Sequence, residues 1–146
     1  MSSLFLFLLL VTGEIHSQQL VLKTYDRSSG LASDYVMCML QDRDGFIWFG
    51  TDRGVSRFDG VSFTTYTTRE GLPDNFITTM FQDNNGYLWF GTYEAGVARF
   101  DGKSFLSYST NDGLAGNSIA GIAQDIFDRM YFLTNKKIRR WTGLFG

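Results

Sequence analysis

Cysteine, histidine and proline are nearly absent from this sequence, with one residue of each among 146. Because Cys38 is the only cysteine, no disulfide can form within the chain. Its sequence neighbours are methionine, valine and leucine, so we expect a buried, inert thiol rather than a nucleophile. The only histidine is His16, and no second imidazole is available for acid–base catalysis or for a histidine metal site.

Long hydrophobic runs are also missing. The longest covers eight residues from Leu4 to Val11, which is too short to span a bilayer but fits the apolar core of a secretory signal. The polar residues that follow suggest cleavage after Ser17, so we expect residues 1–17 to be a signal peptide whose removal takes His16 with it. No lysine or arginine precedes the run, and the alternatives are a buried first strand or a short uncleaved anchor.

Charge of one sign is not concentrated in the sequence either. Its 13 basic and 15 acidic side chains give a net charge of −2, and the one basic group is Lys136, Lys137, Arg139 and Arg140. We therefore expect no nucleic-acid partner. The sequence does contain 16% aromatic residues and 16 glycines, a composition that suits short strands joined by glycine-rich turns.

An internal repeat determines the organisation of the chain. Tyr25, Tyr66 and Tyr108 are 41 and 42 residues apart, and the first two repeats are identical at 19 of 41 aligned positions, with Ala95 as the one inserted residue. The tetrapeptide Trp-Phe-Gly-Thr occurs in both and becomes Tyr-Phe-Leu-Thr in the third. The repeats cover residues 25–65, 66–107 and 108–146.

A period near 40 residues fits either helical pairs or the four-stranded blades of a β-propeller. Glycines inside every candidate helix, together with the Asp-Gly and Asn-Gly pairs, favour strands joined by hairpin turns. In the second repeat the predicted strands A to D are Phe76–Gln82, Tyr87–Thr92, Val97–Phe100 and Ser104–Tyr108. We predict an all-β fold for residues 18–146, a partial β-propeller of about three four-stranded antiparallel blades whose ring is not closed.

Two recurring residue types have predicted structural roles. Trp48 and Trp89 are expected to pack between neighbouring blades, because each indole can bury roughly 200 Å². Asp42 and Asp83 are expected to accept backbone N–H groups in the turn between strands A and B. The glycine three residues after each aspartate allows the positive φ that such a turn needs.

Few residues point to a functional site. The turn that starts at Asp42 resembles a shortened calcium loop but lacks the later ligands, so we expect neither a metal nor a cofactor. No serine or cysteine has a base beside it in the sequence pattern, so we assign no catalytic residue. We expect a structural role or ion pairs between blades for the arginines that share one blade position, Arg57, Arg99 and Arg140. Better candidates for binding are loop residues that vary between repeats, Tyr35, Arg69, Glu94 and Asn117. The sequence does not choose among them.

The repeats resemble the two-component regulator propeller repeat, and the resemblance covers residues 20–143. The pattern combines a Gly-Leu pair, an Asp-x-x-Gly turn, Trp-Phe-Gly-Thr, the segment Gly-Val-x-Arg-Phe-Asp-Gly and a closing Phe-x-x-Tyr. Residues 30–66 supply the whole pattern once, and residues 71–108 supply it again. The third repeat departs from the pattern at Phe127, Asp128, Tyr131 and Leu133.

The family that the repeats resemble consists mainly of periplasmic sensor regions of membrane-spanning signalling proteins, often hybrid histidine kinases. The resemblance therefore implies a periplasmic region that senses an extracellular ligand without catalysis, and carbohydrate is the ligand class that it suggests. It also implies further propeller blades, a membrane anchor and a histidine kinase downstream, and a homodimer in the complete receptor. The alternatives are a secreted interaction propeller without signalling output and part of a propeller lyase.

The alignment of the strands has a consequence for both ends of the repeat region. Leu20–Tyr25 aligns with strand D of the later repeats, so we expect an orphan outer strand there, while the third repeat stops after its strand C at Trp141. Three blades cannot close a ring. We therefore expect residues 20–146 on their own to aggregate through open blade faces and edge strands.

Overall fold

Short strands and tight turns alternate through the residues that the computed structural model describes, which are 22–135 and 138–141. They form three antiparallel sheets of consecutive strands, which we call blades 1, 2 and 3. Blade 1 contains β1 (Val36–Gln41), β2 (Ile47–Thr51), β3 (Gly54–Phe58) and β4 (Phe63–Tyr66). Blade 2 contains β5 (Ile77–Gln82), β6 (Leu88–Thr92), β7 (Val97–Phe100) and β8 (Phe105–Tyr108). Blade 3 contains β9 (Ile119–Gln124), β10 (Met130–Thr134) and β11 (Ile138–Trp141).

The all-β prediction is confirmed, and the predicted strands of the second repeat differ from the observed ones by no more than one residue at either end. The three sheets do not close into a ring within the described residues. Two short 3-10 turns, Arg27–Ser29 and Thr110–Asp112, lie in the segments that lead into β1 and β9. Each ends at a glycine with positive φ, Gly30 or Gly113.

The turn between the first two strands of each blade is built around one aspartate. Asp83 Oδ1 accepts the backbone N–H groups of Asn85 and Tyr87, both at 2.9 Å, as the sequence predicted. Its second oxygen, Oδ2, accepts the indole N–H of Trp89 at 2.7 Å. Asp42 makes the same three kinds of contact in blade 1. The glycines of these turns have φ values of 89° and 88°, which confirms the predicted positive φ.

Blade 3 keeps this turn although its sequence departs from the repeat. Asp125 Oδ1 accepts the backbone N–H groups of Phe127 at 2.9 Å and Arg129 at 3.0 Å. The hydroxyl of Tyr131 takes the place of the indole and donates to Asp125 Oδ2 at 3.0 Å. Asp128 stands where the other turns have glycine and adopts a φ of 62°, a left-handed conformation that aspartate tolerates better than most residues.

The two tryptophans pack between blades, as predicted. Trp48 is buried in a cluster with Ile77 and Phe90 of blade 2, and its ring centroid lies 5.6 Å from that of Phe90. Trp89 is buried in a second cluster that includes Phe132 of blade 3, at 5.5 Å between ring centroids. The core therefore lies between the blades rather than within any one sheet.

Two glycines allow the blades to approach each other closely. A Cβ atom placed on Gly50 would lie 2.8 Å from Cγ2 of Ile77, and one placed on Gly91 would lie 2.8 Å from Cγ2 of Ile119. We call the first strand of each blade, β1, β5 or β9, its inner strand. Ile77 and Ile119 are the first residues of the inner strands of blades 2 and 3, and both are fully buried. A side chain on either glycine would push the neighbouring blade away.

A glutamine at the end of the inner strand joins neighbouring blades at their turns. Gln82 Oε1 accepts the backbone N–H of Arg43 in blade 1 at 2.9 Å. Gln124 Oε1 accepts the backbone N–H of Asn84 in blade 2 at 2.8 Å. We call this contact the glutamine latch. The recurring Gln-Asp pair marks its position in the sequence, but the sequence analysis assigned it no role.

Of the predicted orphan strand Leu20–Tyr25, the structure describes residues 22–25. None of the three sheets includes residues 22–25, because a strand needs a hydrogen-bonded neighbour and no described strand supplies one. Tyr25 nevertheless keeps the ring contacts of its repeat position, at 5.0 Å from Phe58 and 5.6 Å from Phe63. The predicted signal peptide, residues 1–17, lies outside the described residues.

The recurring arginines stack on aromatic rings. The guanidinium of Arg57 lies 4.6 Å from the ring centroid of Phe46, and that of Arg99 lies 4.5 Å from the ring centroid of Tyr87. Each pair belongs to a single blade. These cation–π contacts agree with the structural alternative, and among the described residues Arg57 makes no ion pair with another blade. The side chain of Arg140 lies outside the described residues.

Candidate functional site

Each blade has two edges at which the chain reverses. The aspartate turns lie at one edge, and their residues recur in the blades because they serve the fold. At the other edge lie the turn between the second and third strands and the crossover segment that leads to the next blade. We call this the crossover edge. Several of its residues differ from blade to blade, such as Asp52, Tyr93 and Asn135 after the recurring threonine, so a specific site can form at this edge.

A groove of about 500 Å³ opens at the crossover edge between blades 2 and 3. Among its lining residues, Glu94 is the one charged side chain and Tyr93 is the one aromatic side chain. The ring of Tyr93 is 52% exposed. The other lining residues are Thr110, Ala115, Gly116, Asn117, Ser118 and Asn135. We call this cavity the crossover groove.

The crossover groove is open because one residue pair is small in blade 3. In blade 2 the backbone N–H of Tyr93 donates to the carbonyl of Phe76 at 3.0 Å, and the two rings are 5.2 Å apart. The matching backbone bond in blade 3 joins Asn135 to the carbonyl of Ser118 at 3.3 Å. An amide and a hydroxymethyl group occupy less volume than two aromatic rings, so space remains beside them.

The inserted residue Ala95 helps to display the two distinctive side chains. The segment between Thr92 and Gly96 is one residue longer than the segment between Thr51 and Gly54 in blade 1. Thr92 Oγ1 holds it, accepting the N–H of Ala95 at 3.1 Å and donating to the carbonyl of Gly96 at 2.7 Å. Tyr93 and Glu94 therefore lie at the exposed tip of a turn whose base is fixed by hydrogen bonds.

The lining of the crossover groove suits a neutral ligand rich in hydroxyl groups. An exposed aromatic ring offers an apolar face, while a carboxylate, amides and hydroxyls supply acceptors and donors around it. Among the described residues that line the groove, none is cationic and Glu94 is acidic. A shallow cavity with one ring and several polar groups is suited to binding.

A second groove lies at the same edge between blades 1 and 2, and two of its polar side chains, Glu70 and Asn75, are already engaged in hydrogen bonds. It encloses about 370 Å³ and includes Arg69, Glu70 and Asn75. Glu70 accepts the backbone N–H of Thr67 at 2.6 Å and its hydroxyl at 2.8 Å. Hydrogen bonds from the hydroxyl and then the backbone of Thr67 lower the pKa of Glu70. Glu70 is thus engaged in holding the crossover segment.

The structure brings together two of the four loop residues proposed from the sequence. Glu94 and Asn117 both line the crossover groove, whereas Arg69 lines the second groove. Tyr35 lies immediately before β1 and is 73% exposed. The four residues therefore do not form one site.

Asn117 has a structural role that the sequence analysis missed. Its Oδ1 accepts the backbone N–H of Thr110 at 2.8 Å. Asn75 does the same for Thr68 at 2.8 Å, so the position is not distinctive of one blade. The aligned residue of blade 1 is Asp34, whose carboxylate accepts the backbone N–H of Arg27 at 2.9 Å, so this position closes the crossover segment before each of the three blades. The presence of Asn117 beside the groove leaves Glu94 as the distinctive polar group.

Sequence reasoning also missed Tyr93 and Asn135. Both occupy the position after the recurring threonine of the second strand, where blade 1 has Asp52. Variation at this aligned position was the signal that could have identified them. Their pairing with Phe76 and Ser118 depends on strand register, which is visible only in the folded chain.

The other chemically distinctive groups of the described residues serve the fold. Both carboxylate oxygens of Asp42 accept N–H groups, as described above, so the turn that resembles a calcium loop uses its first carboxylate internally. Burial raises the pKa of the Cys38 thiol to about 11, against a smaller opposite effect of the Gly50 backbone. In the segments that the structure describes, no group of three metal-ligating side chains occurs. No helix in those segments is long and apolar enough to cross a bilayer.

A known family model matches parts of the first two repeats. The family described as two component regulator propeller matches residues 30–53 and 71–94, which include the aspartate turn and the second strand of blades 1 and 2. No curated protein matches the sequence.

Several solved structures share the fold. The extracellular domains of two B. thetaiotaomicron proteins named as hybrid two component systems are 26% and 23% identical to this chain, with TM-scores of 0.69 and 0.67. Each match covers 75% of this chain, which spans 17% of the length of those domains. A catalytically inactive virginiamycin B lyase from Staphylococcus aureus, 20% identical, has a TM-score of 0.56 over 73% of this chain and 40% of its own. Two segments of this chain therefore match the two component regulator propeller family, and its described residues fold as consecutive blades of a β-propeller.

Proposed function

We propose that this chain is part of the extracellular ligand-sensing region of a two-component signalling receptor. The family repeats support this assignment, as does the similarity to extracellular domains of proteins named as hybrid two component systems. Because the chain spans 17% of those domains, the membrane anchor, the kinase output and a homodimeric receptor belong to the proposal.

The crossover groove is the proposed ligand site. The observation that supports it is the break in repeat symmetry at one place. Tyr93 and Glu94 project from a lengthened turn, opposite a position where blade 3 carries the small pair Ser118 and Asn135. Recurring residues serve every blade in the same way, whereas a ligand requires one particular arrangement.

The proposed ligand is a neutral carbohydrate, bound without chemical conversion. The ring of Tyr93 would stack on the C–H face of a sugar, and the carboxylate of Glu94 would accept its hydroxyl groups. The same carboxylate would repel the carboxylate of a uronic acid, because the two groups carry like charges.

Signal transmission would use the position of the groove between two blades. A ligand that contacts both blade 2 and blade 3 stabilises one spacing of the two sheets over others. The resulting shift in population cannot exceed the difference in ligand affinity between the two arrangements. A change in blade spacing would then be passed to the domain that follows the propeller.

Titration with short oligosaccharides tests the ligand site. We expect neutral oligosaccharides to bind more tightly than matched uronic acid oligosaccharides, as measured by calorimetry or by NMR shifts. Tyr93→Ala is expected to weaken binding about tenfold by removing the stacking surface, and Glu94→Gln is expected to reduce the discrimination against uronic acids. Arg53→Ala, at the exposed turn of blade 1, is the matched control and should leave binding unchanged.

Two results would contradict the ligand proposal. One is binding that survives Tyr93→Ala unchanged while Arg53→Ala abolishes it. The other is the absence of binding by the intact chain across neutral and acidic oligosaccharides when circular dichroism shows that it is folded. Export is tested separately, by fusing residues 1–25 to a reporter enzyme that is active only outside the cytoplasm, and an inactive reporter would contradict the extracellular location.

A further inference from the structure

One cross-strand pair is inverted in blade 3. In blade 1, Cys38 on the inner strand lies opposite Gly50 on the second strand, and in blade 2 Thr79 lies opposite Gly91. At the same register of blade 3, the inner strand carries Gly121 and the second strand carries Leu133. The side chain has thus moved from the inner strand to the second strand.

This inversion fills the place into which a neighbouring blade would insert. Gly50 and Gly91 lie against Ile77 and Ile119 of the following blade, with no room for a Cβ atom. Leu133 occupies the equivalent place on the face of blade 3 that points away from blade 2, which we call the far face, and it is 43% exposed. A blade that began with isoleucine or valine would therefore collide with the side chain of Leu133.

The same face of blade 3 retains the other half of the blade-to-blade contact. In blades 1 and 2 the backbone N–H after the turn aspartate donates to the glutamine latch of the next blade. Ile126 follows the aspartate of blade 3, and its N–H has no glutamine partner among the residues that the structure describes. A partner that supplies a glutamine oxygen would complete this contact.

We infer that the far face of blade 3, formed by Tyr131, Leu133 and Ile126, docks a blade whose inner strand begins with glycine, alanine or serine and carries glutamine five residues later. The spacing is that of Ile77 to Gln82 and of Ile119 to Gln124, the two blades that already dock in this way. The occupant is thus a further blade with a small first residue. This inference goes beyond the ligand proposal and does not depend on it.

A second native copy of this chain does not meet the requirement. Val36 pairs with Thr51 in the same register as Ile77 with Thr92, so Val36 is the first residue of the inner strand of blade 1. It is 38% exposed and followed by Gln41. The glutamine fits the latch, but the valine would meet Leu133. Leu133 and Gly121 therefore determine which blade can dock and oppose ordered head-to-tail stacking of identical chains, which is distinct from the non-specific aggregation expected of open blade faces and edge strands.

The chain itself provides the probe for this inference. Val36→Ala gives blade 1 a small first residue while keeping Gln41, so we expect this variant to associate head to tail, at least doubling the average mass in sedimentation velocity. Val36→Ile is the matched control, because it enlarges the same exposed residue, and we expect it to associate at least tenfold more weakly than Val36→Ala. Adding Gln41→Ala to Val36→Ala removes the latch and should reverse the association.

Restoring the usual pair in blade 3 should reverse the size preference. With Gly121→Thr and Leu133→Gly introduced together, the face regains its glycine, and residue 36 should now favour association in the order Ile, Val, Ala. Circular dichroism checks that this double variant is folded, and the Val36 series in the native background stands without it.

Non-specific aggregation predicts a different order. Non-specific association through exposed apolar surface increases with the apolar size of residue 36, whichever residue stands at position 133. Association that increases from alanine to isoleucine in the native background would overturn the inference. A folded Val36→Ala variant that sediments like the native chain would overturn it as well.

Discussion

The indole N–H of Trp89 donates to Asp83 Oδ2 at 2.7 Å, and both side chains are buried between blades 2 and 3. One carboxylate therefore closes the turn through its first oxygen and orients the main packing residue of the interface through its second. The side chain of Asp83 thus takes part both in the turn between β5 and β6 and in the packing of blade 2 against blade 3. Trp48 and Asp42 repeat the relationship at 2.6 Å in blade 1.

Asp83→Ala is expected to lower the free energy of unfolding by about 3 kcal/mol or more, because it leaves two amides and a buried indole N–H without an acceptor. Urea denaturation monitored by tryptophan fluorescence measures the change. Asp101→Ala is the control, since Asp101 also accepts two backbone N–H groups at 2.8 Å but lies exposed at a turn. Its expected loss is below about 1 kcal/mol. Equal losses for the two variants would contradict the role of burial.

Gly91→Ala is expected to destabilise the contact between blades 2 and 3 by about 1–3 kcal/mol. The new Cβ would lie 2.6 Å from Thr79 Cγ2 and 2.8 Å from Ile119 Cγ2. Gly121→Ala is the matched substitution on the inner strand of blade 3, where the new Cβ would meet Leu133 at an ordinary 3.6 Å. Thermal unfolding of both variants should show a clear decrease for Gly91→Ala alone. A comparable decrease for Gly121→Ala would refute the steric explanation.

The acid stability of blade 3 should depend on Asp125. Burial tends to raise the pKa of Asp125, but hydrogen bonds from the backbone and side chain of Arg129, from Phe127 and from Tyr131 outweigh it and lower the pKa to about 2. A lowered carboxyl pKa contributes stability that is present above the ordinary value of 3.8 and is lost as pH falls toward about 2. The difference in unfolding free energy between the native chain and Asp125→Asn should therefore shrink across that interval. A difference independent of pH would argue against the prediction.

Cys38 should react slowly with alkylating reagents while the chain is folded. With its pKa raised to about 11 by burial, the thiolate fraction at mildly alkaline pH is about a hundredfold below that of an ordinary cysteine. Labelling with iodoacetamide followed by mass spectrometry measures the rate, and urea should restore it. Fast labelling of the folded chain would be inconsistent with the packing of Cys38 on the blade interface.

Most of the fold could be predicted because the same sequence signals occur in the first two repeats, so each inference could be drawn from both. Strand boundaries in the second repeat follow from short apolar runs that end at Asp-Gly and Asn-Gly pairs, and these signals are local. The turn role of Asp42 and Asp83 follows from the same local chemistry. Their bond to the tryptophan indole does not, because it depends on which side of the second strand the ring faces.

The candidate site was harder to predict because it depends on register between distant residues. Ser118 and Asn135 leave space only because a backbone bond places them side by side, and no local pattern contains both. Residues 22–25 lie outside the three sheets for a related reason, since alignment with strand D gives them the right side chains but not a neighbouring strand. The cation–π contact of Arg57 with Phe46 joins β3 to the residue before β2 and has no local sequence signature.

The glutamine latch does not depend on the side chain of the turn residue that donates to it. Its donors are the main-chain amides of Arg43 and Asn84, and every amino acid except proline carries such an amide. The side chains at these positions add bonds of their own to the next blade, from Arg43 to the carbonyl of Asn84 at 3.0 Å and from Asn84 to the carboxylate of Asp128 at 2.6 Å. Substitution there would therefore remove a side-chain bond while the main-chain bond of the latch remains.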